Sequence, residues 1–229
     1  LSYIKAGETV TLYVVPAENF VVGEIKIIKV SDNSEILAVD NKFTMPESKI
    51  TITVTFVQTY AINIGAHAEG IQSVAYGQYS HTEGFRTQAA YASHAEGRNT
   101  TASGQGSHSE GGDTIASGDA AHAEGKSTTA SGQYSHAEGN STTSSGDHSH
   151  SEGYNTNATN NQAHAEGGST TASGKQSHSE GWSTLAEGDH SHAEGGYTKA
   201  LGKQSHAGGN NSTAEGARSF AHGSYVTAK

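Results

Sequence analysis

The first 57 residues alternate apolar and polar side chains with a period of two. Such runs occupy residues 9–15, 23–30 and 50–56, and they are rich in valine, isoleucine and threonine. A period of two places successive side chains on opposite faces of an extended chain, so these runs predict half-buried strands. Residues 31–34 interrupt the pattern with turn-forming types. We predict a small antiparallel β module of four or five strands over residues 1–57.

This module resembles the internalin B-repeat-like modules that occur in tandem on bacterial surface proteins. The resemblance rests on residues 6–12, 15–20 and 43–46, followed by the predicted strand at 50–56. The chain departs from the family at Asn19, where members often have glycine. The resemblance implies a spacer or presentation module rather than an active site.

Beyond residue 57 the alternation gives way to a repeat of 14 residues that is marked by histidine. Successive histidines of the series are 14 residues apart, except for an interval of 13 residues between His81 and His94. The series comprises His67, His81, His94, His108, His122, His136, His150, His164, His178, His192 and His206. A single period over so many copies indicates a repeat architecture rather than disorder.

The other repeat positions are counted from each histidine. Position +1 is small, +2 is glutamate in all copies but the last, and +3 is glycine. Position +6 is serine or threonine, +8 is alanine in every copy but one, and +10 is mostly glycine. This period is too short for a helix pair and fits a coil of two short strands joined by tight turns. We expect positive φ at both glycine positions and inward-pointing side chains at +1 and +8.

The repeat therefore predicts a parallel β-solenoid of about twelve coils over residues 58–229, stacked at about 4.8 Å. Its interior admits only alanine, serine and threonine, which explains the low hydrophobic content of 32%. Each buried methyl-sized group contributes about 1 kcal/mol or less, so a lone rod is marginally stable. The composition thus favours oligomerisation.

The histidine and glutamate positions lie two residues apart on one strand, so both face away from the interior. Stacked carboxylates repel one another, and we expect a partly protonated histidine column to oppose that repulsion. A hydrogen-bonded network between chains is the favoured role, with a transition-metal column and a solvated face as alternatives. The glutamates are Glu69, Glu83, Glu96, Glu110, Glu124, Glu138, Glu152, Glu166, Glu180 and Glu194.

These motifs resemble the head repeat of trimeric autotransporter adhesins, the YadA-like head. The resemblance rests on coils such as residues 135–139, Ser-His-Ala-Glu-Gly, followed by Ala-Ser-Gly within each repeat. It implies a left-handed parallel β-roll that packs as a homotrimer. In that family valine and isoleucine take the positions of histidine and glutamate and help to form the contact between chains. Residues 74–77 and 219–223, near the two ends, are closer to that apolar form.

Composition narrows the possible partners and chemistry. The net charge of −10, with no basic patch, argues against nucleic acid as a partner. Cysteine is absent, so neither disulfides nor thiolate chemistry are available. No run of about 18 apolar residues occurs, and we expect no membrane contact. The two prolines are too few for collagen.

The repetition of the sequence bears on whether it contains a catalytic, metal or ligand site. Serine, histidine and acidic residues recur in every coil, whereas a catalytic site is a single asymmetric constellation. We therefore predict no enzyme activity, no catalytic or metal-ligating residue and no cofactor. His148, His190 and His222 lie outside the series, and we interpret the first two as surface turn residues. Trp182 is the best candidate for a ligand contact among the aromatic residues.

The sequence as a whole predicts a non-enzymatic, extracellular, bacterial cell-surface adhesin-like module. It would form a rigid trimeric rod for attachment or presentation, with two further copies of the chain and a host matrix or cell-surface receptor as partners. The alternative is a structural segment of a bacteriophage or prophage tail fibre, located in the virion tail. The internalin-like module favours the bacterial surface.

Overall fold

The computed structural model of the chain describes residues 4–15, 20–39, 41–58, 60–61 and 63–229. In this part of the chain no helix is long and apolar enough to cross a membrane. The N-terminal strands are β1 (Thr9–Thr11), β2 (Phe20–Lys29), β3 (Lys42–Thr44) and β4 (Ile50–Gln58). They form two antiparallel sheets of two strands each, β1 with β3 and β2 with β4.

The N-terminal strands confirm a small antiparallel arrangement. Strand β2 pairs with β4 along its length, with Ile27 opposite Ile52, and a register shift between Val22 and Glu24. Ile27 and Phe43 are buried. Strand β1 is shorter than the predicted run over residues 9–15. Residues 16–19, part of the stretch that carries the internalin resemblance, lie outside the described residues.

The remaining strands form the solenoid. They are β5 (Tyr60–Ala61), β6 (His67–Ile71), β7 (Val74–Ala75), β8 (His81–Phe85), β9 (Gln88–Ala89), β10 (His94–Arg98), β11 (Thr101–Ala102), β12 (His108–Gly112), β13 (Ile115–Ala116), β14 (His122–Lys126), β15 (Thr129–Ala130), β16 (His136–Asn140), β17 (Thr143–Ser144), β18 (His150–Tyr154), β19 (Asn157–Ala158), β20 (His164–Gly168), β21 (Thr171–Ala172), β22 (His178–Trp182), β23 (Leu185–Ala186), β24 (His192–Ala193), β25 (Lys199–Ala200), β26 (His206–Asn210), β27 (Thr213–Ala214), β28 (Phe220–Ser224) and β29 (Thr227–Ala228).

These strands stack into two parallel sheets. The even-numbered strands from β6 to β28 form a sheet of 12 strands, which we call the histidine sheet. The odd-numbered strands from β5 to β29 form a second sheet of 13 strands. Equivalent repeat positions pair directly, so that His122 lies beside His136 and Ala130 beside Ser144. The predicted parallel solenoid with 14-residue coils is confirmed.

The short interval between His81 and His94 is absorbed in a turn. The two histidines still pair in the histidine sheet. The N–H of Ser93 donates to the carbonyl of Ala90 at 3.3 Å, the bond that the next coil makes to Gly104. Ala90 thus takes the place of the turn glycine, and the missing residue leaves the sheet register unchanged.

Four columns of small side chains fill the interior. The alanines at +1 and +8, such as Ala123 and Ala130, are 0% exposed, as predicted. Hydroxyl residues at +6 and immediately before the histidine, such as Thr128 and Ser135, are buried beside them. The Ser135 hydroxyl donates to the carbonyl of Gly132 at 2.7 Å. The interior is therefore a mixture of methyl and hydroxyl groups.

Glycine is needed at positions +3 and +10 for different physical reasons. Gly125, at +3, has a φ of 108°, so the predicted left-handed backbone is confirmed there. Gly118, at +10, lies outside that region, and the prediction of positive φ is wrong. A Cβ on Gly118 would lie 2.0 Å from the carbonyl oxygen of Gly132, so close approach between coils requires glycine. Ordinary residues such as Ala120 and Ser127 adopt positive φ instead, 52° and 56°.

Candidate functional site

The outward side chains at the histidine and glutamate positions of the histidine sheet form a continuous surface, which we call the His/Glu face. Because the residue between them, such as Ala123, is buried, His122 and Glu124 both point outward. Their side chains are 37% and 45% exposed in the single chain. The structure thus brings the predicted ladder residues together on one face of the rod.

Histidine rings form a continuous stack along this face. From His67 to His192 the centroids of neighbouring rings are 4.7–5.0 Å apart and the rings are inclined by 2–17°. The separation matches the spacing of hydrogen-bonded strands, because each ring stands on the next strand of the sheet. His206 is tilted by 40° from His192, and Phe220 meets His206 edge-on at 5.0 Å. The stack ends there.

The glutamates flank this stack at ion-pair distance. In the coils from His94 to His164, each histidine Nε2 lies 3.6–3.9 Å from an oxygen of the glutamate in the same coil. These separations are too long for hydrogen bonds. Within the described residues, the buried Nε2 atoms of these histidines have no hydrogen-bond partner. Each coil therefore presents an imidazole whose polar atom is not satisfied by its own chain.

Partial burial lowers the pKa of several histidines in the stack and so disfavours their charged form. It lowers the pKa of His122 below the ordinary value of 6.5, and repulsion from His136 and His108 lowers that pKa further. Glu124 and Glu110 raise it by a smaller amount. Burial likewise lowers the pKa of His150, His164 and His178. These directions work against the partly protonated column that the sequence suggested, and favour neutral imidazoles.

The pairing of histidine with glutamate changes direction towards the C-terminal end. His178 and His192 approach glutamates of the preceding coil, with Nε2 to Oε1 distances of 4.0 Å to Glu166 and 3.4 Å to Glu180. The same two carboxyl groups hydrogen-bond to each other, and this bond raises the pKa of Glu166 and lowers that of Glu180. The proximity of the two carboxyl groups therefore disfavours ionisation of Glu166 relative to Glu180.

The histidines outside the series fall into two groups. His148 and His190 are exposed turn residues with φ of 55° and 58°, as predicted, and the His148 ring stacks on Tyr134 at 5.0 Å. His222, by contrast, occupies the glutamate column, because it pairs with Gly208 of the preceding coil. Sequence reasoning missed this placement, although counting 14 residues on from Gly208 would have found it.

Trp182 lies at the end of β22 and is 52% exposed. Its ring lies over Gly168 of the preceding coil, where a Cβ would come within 2.3 Å of the ring atom Cε3. The glycine therefore allows the indole to lie against the neighbouring strand. The predicted role of Trp182 as a ligand contact, like that of the ladder as a trimer interface, stays a prediction.

Comparison with known proteins shows that part of the solenoid matches a known family of repeats. Residues 95–121, 109–135, 123–149 and 193–219 match the model of the YadA head domain repeat (2 copies). No curated protein matches the chain. The matched residues lie in the parallel coils whose register, inward alanines and turn glycines are described above. The solenoid of this chain is a YadA-like β-roll.

Proposed function

We propose that this chain is a non-enzymatic, extracellular adhesin-like module of a bacterial surface, and that three copies form a left-handed, rigid rod. The His/Glu face carries this proposal. The resemblance to YadA-like heads implies chain contacts at these positions, and the face extends over the histidine sheet from β6 to β26. The ladder of histidines and glutamates is then the interface between the three chains.

The small side chains of the interior stabilise a single chain weakly, which favours assembly of several chains. The largest fully buried side chains of the solenoid are threonines, and the remainder are alanine and serine. Burial of such small groups contributes little free energy per residue. A rod of coils that contact only their neighbours gains stability when a whole face is covered. Association along the His/Glu face provides that cover.

The unsatisfied imidazoles support the choice of face. Nε2 atoms such as those of His108, His122 and His136 are buried by their neighbours yet, among the described residues, accept or donate no hydrogen bond. An imidazole N–H of one chain can donate to a glutamate of the next, and hydrogen bonds to a charged carboxylate are the stronger kind. Rotation of the half-exposed rings on assembly would bring these nitrogens, which are enclosed in the single chain, to such a carboxylate.

The two predicted units take separate roles in this proposal. Residues 1–57 form the spacer or presentation module, and residues 58–229 form the rod. Trp182 and the other exposed aromatic residues of the rod supply contacts to a host matrix or cell-surface receptor. A tail fibre of a phage would use the same kind of rod, and genes for tail proteins beside this gene would favour that function.

The oligomeric state tests the proposal directly. Light scattering should give a mass of three times the 23.6 kDa chain. The double variant His122→Asp/His136→Asp places new charge on the His/Glu face and should shift the mass to that of one chain. The matched control Thr129→Asp/Thr143→Asp places the same charge on the outward side of the second sheet and should stay trimeric. A monomeric wild type, or a trimer that survives the histidine changes, would contradict the proposed interface.

A further inference from the structure

The His/Glu face changes composition at its C-terminal end. Gly208 stands at the glutamate position of the coil that begins at His206. In the next coil Phe220 pairs with His206, and His222 pairs with Gly208. An aromatic ring therefore ends the histidine column, and an imidazole replaces the carboxylate at the end of the glutamate column.

Four donor groups surround Glu194 at this end. Its Oε1 lies 3.1 Å from the Nε2 of His206 and 3.7 Å from the Nε2 of His222. On the other side, ligand atoms of Glu180, His192 and Glu194 all lie within 4.8 Å of one another. Glu194 thus lies close to three imidazoles and one further carboxylate, whereas Glu166, whose ligand atom also lies within 4.8 Å of those of His164 and His178, meets only two imidazoles.

Gly208 makes this convergence possible. A Cβ at Gly208 would lie 2.5 Å from Cδ2 of His222 and 2.9 Å from Oε1 of Glu194. Side chains of the coils on either side therefore use the space that a glutamate would occupy. The strand before it is also shortened, since β24 ends at Ala193 where the other strands of this sheet continue for five residues. Glu194 follows directly after β24, and its N–H still donates to the carbonyl of Ala207 in the next coil at 2.9 Å.

The chemistry of these donors fits a transition-metal ion. Two ligands on one tetrahedral zinc ion, each about 2.0–2.1 Å from the metal, are about 3.3 Å apart. The separations of 3.1 and 3.7 Å from Glu194 bracket this value. The shorter one is a hydrogen bond between His206 and Glu194, and the longer one is outside hydrogen-bond range. Imidazole and carboxylate are ligands that zinc accepts. A divalent cation would also relieve the repulsion between Glu180 and Glu194.

We propose that the C-terminal end of the His/Glu face binds a divalent transition-metal ion of the zinc class. The Glu194 carboxylate is the central ligand, His206 and His222 approach it from the side of Gly208, and Glu180 and His192 approach from the other side. Glu194 together with the two groups on either side supplies three ligands, and water would complete the four that a zinc ion takes. This inference goes beyond the proposed function, because the donors belong to one chain and the site does not depend on attachment to a host.

Calorimetric titration of zinc into the full chain, without any affinity tag, tests the site. We expect one tight site per chain, distinguishable from weak binding along the rest of the face. His222→Ala should weaken the tight site at least about ten-fold, since even the loss of an outer-shell partner costs about ten-fold or more. Gly208→Glu should weaken it too, because the new side chain would separate Glu194 from His222.

Two controls keep the result interpretable. His190→Ala removes an exposed turn histidine that is not among the five donors and should leave zinc affinity unchanged. Melting curves in the presence of a chelator establish that each variant folds, and zinc should raise the melting temperature of the wild type more than that of His222→Ala. Absence of saturable binding would overturn the proposal. Equal affinity in wild type and His222→Ala, or an equal loss in His190→Ala, would overturn it as well.

Discussion

At the scale of single residues, a serine at position +1 provides a hydrogen-bond partner for the buried threonine at +6. Where position +1 is serine, as at Ser109, its hydroxyl hydrogen-bonds to the threonine at +6, Thr114, at 2.8 Å. Where position +1 is alanine, as at Ala137, the buried hydroxyl of Thr142 has no hydrogen-bond partner in the described part of the chain. The same fold therefore contains satisfied and unsatisfied versions of one coil.

Threonine-to-valine substitutions should separate these versions. Thr142→Val removes an unpaired buried hydroxyl while keeping the shape of the side chain, so the free energy of unfolding should stay the same or rise. Thr114→Val leaves the Ser109 hydroxyl unpaired and should lower it by about 1–3 kcal/mol. Chemical denaturation of the two variants measures the difference. An equal decrease in the free energy of unfolding for both substitutions would contradict the hydrogen bond between Ser109 and Thr114.

At the scale of elements, the coils are held so closely that glycine is needed where backbones meet. Gly111 has a φ of 109°, and a Cβ there would lie 2.1 Å from the carbonyl oxygen of Gly125. At the next residue, Gly112, nothing in the described residues lies within 4 Å of such a Cβ. Two adjacent glycines on one strand thus have opposite tolerance for a side chain.

Alanine substitution of these two glycines provides a matched pair. Gly111→Ala should lower the free energy of unfolding by at least about 2 kcal/mol, because left-handed strain and a backbone clash act together. Gly112→Ala should be neutral or slightly stabilising, because alanine loses less backbone entropy on folding. Thermal melting followed by circular dichroism compares them. Similar melting temperatures for both variants would show that the coils are further apart than described.

At the scale of the whole molecule, the histidine stack couples stability to pH. Partial burial lowers the pKa of His122, and neighbouring His108 and His136 lower it further, against the smaller opposing effects of Glu110 and Glu124. Near pH 6 the folded chain therefore binds fewer protons than the unfolded chain. The stability that these neutral imidazoles contribute is complete above the ordinary histidine pKa of 6.5 and is lost as pH falls from there through the lowered pKa of the folded chain.

We accordingly expect the melting temperature to fall between pH 8 and pH 5. Replacing His122 and His136 with asparagine should reduce the slope, because two titrating groups are removed from the stack. A flat profile would contradict the direction of the pKa shifts. A rising melting temperature on acidification would contradict it too, and would indicate charged imidazoles paired with carboxylates of other chains.

The sequence by itself determined the architecture of the rod. A 14-residue period with small residues at +1 and +8 allows only a thin coil, since larger side chains do not fit between the sheets. Because each position repeats, a shift in register would misalign every column, so the pairing of His122 with His136 follows from the spacing. The left-handed glycine at +3, such as Gly125, was predicted for the same reason.

The tertiary structure decided what depends on distances between coils. It showed that Gly118 is required by a neighbouring carbonyl rather than by its own φ, and that residues such as Ala120 carry the left-handed turns. It also placed His222 in the glutamate column beside the space left by Gly208. A repeat pattern gives the order of side chains along one coil. How closely the next coil approaches, and which atoms then meet, is set only when the coils stack.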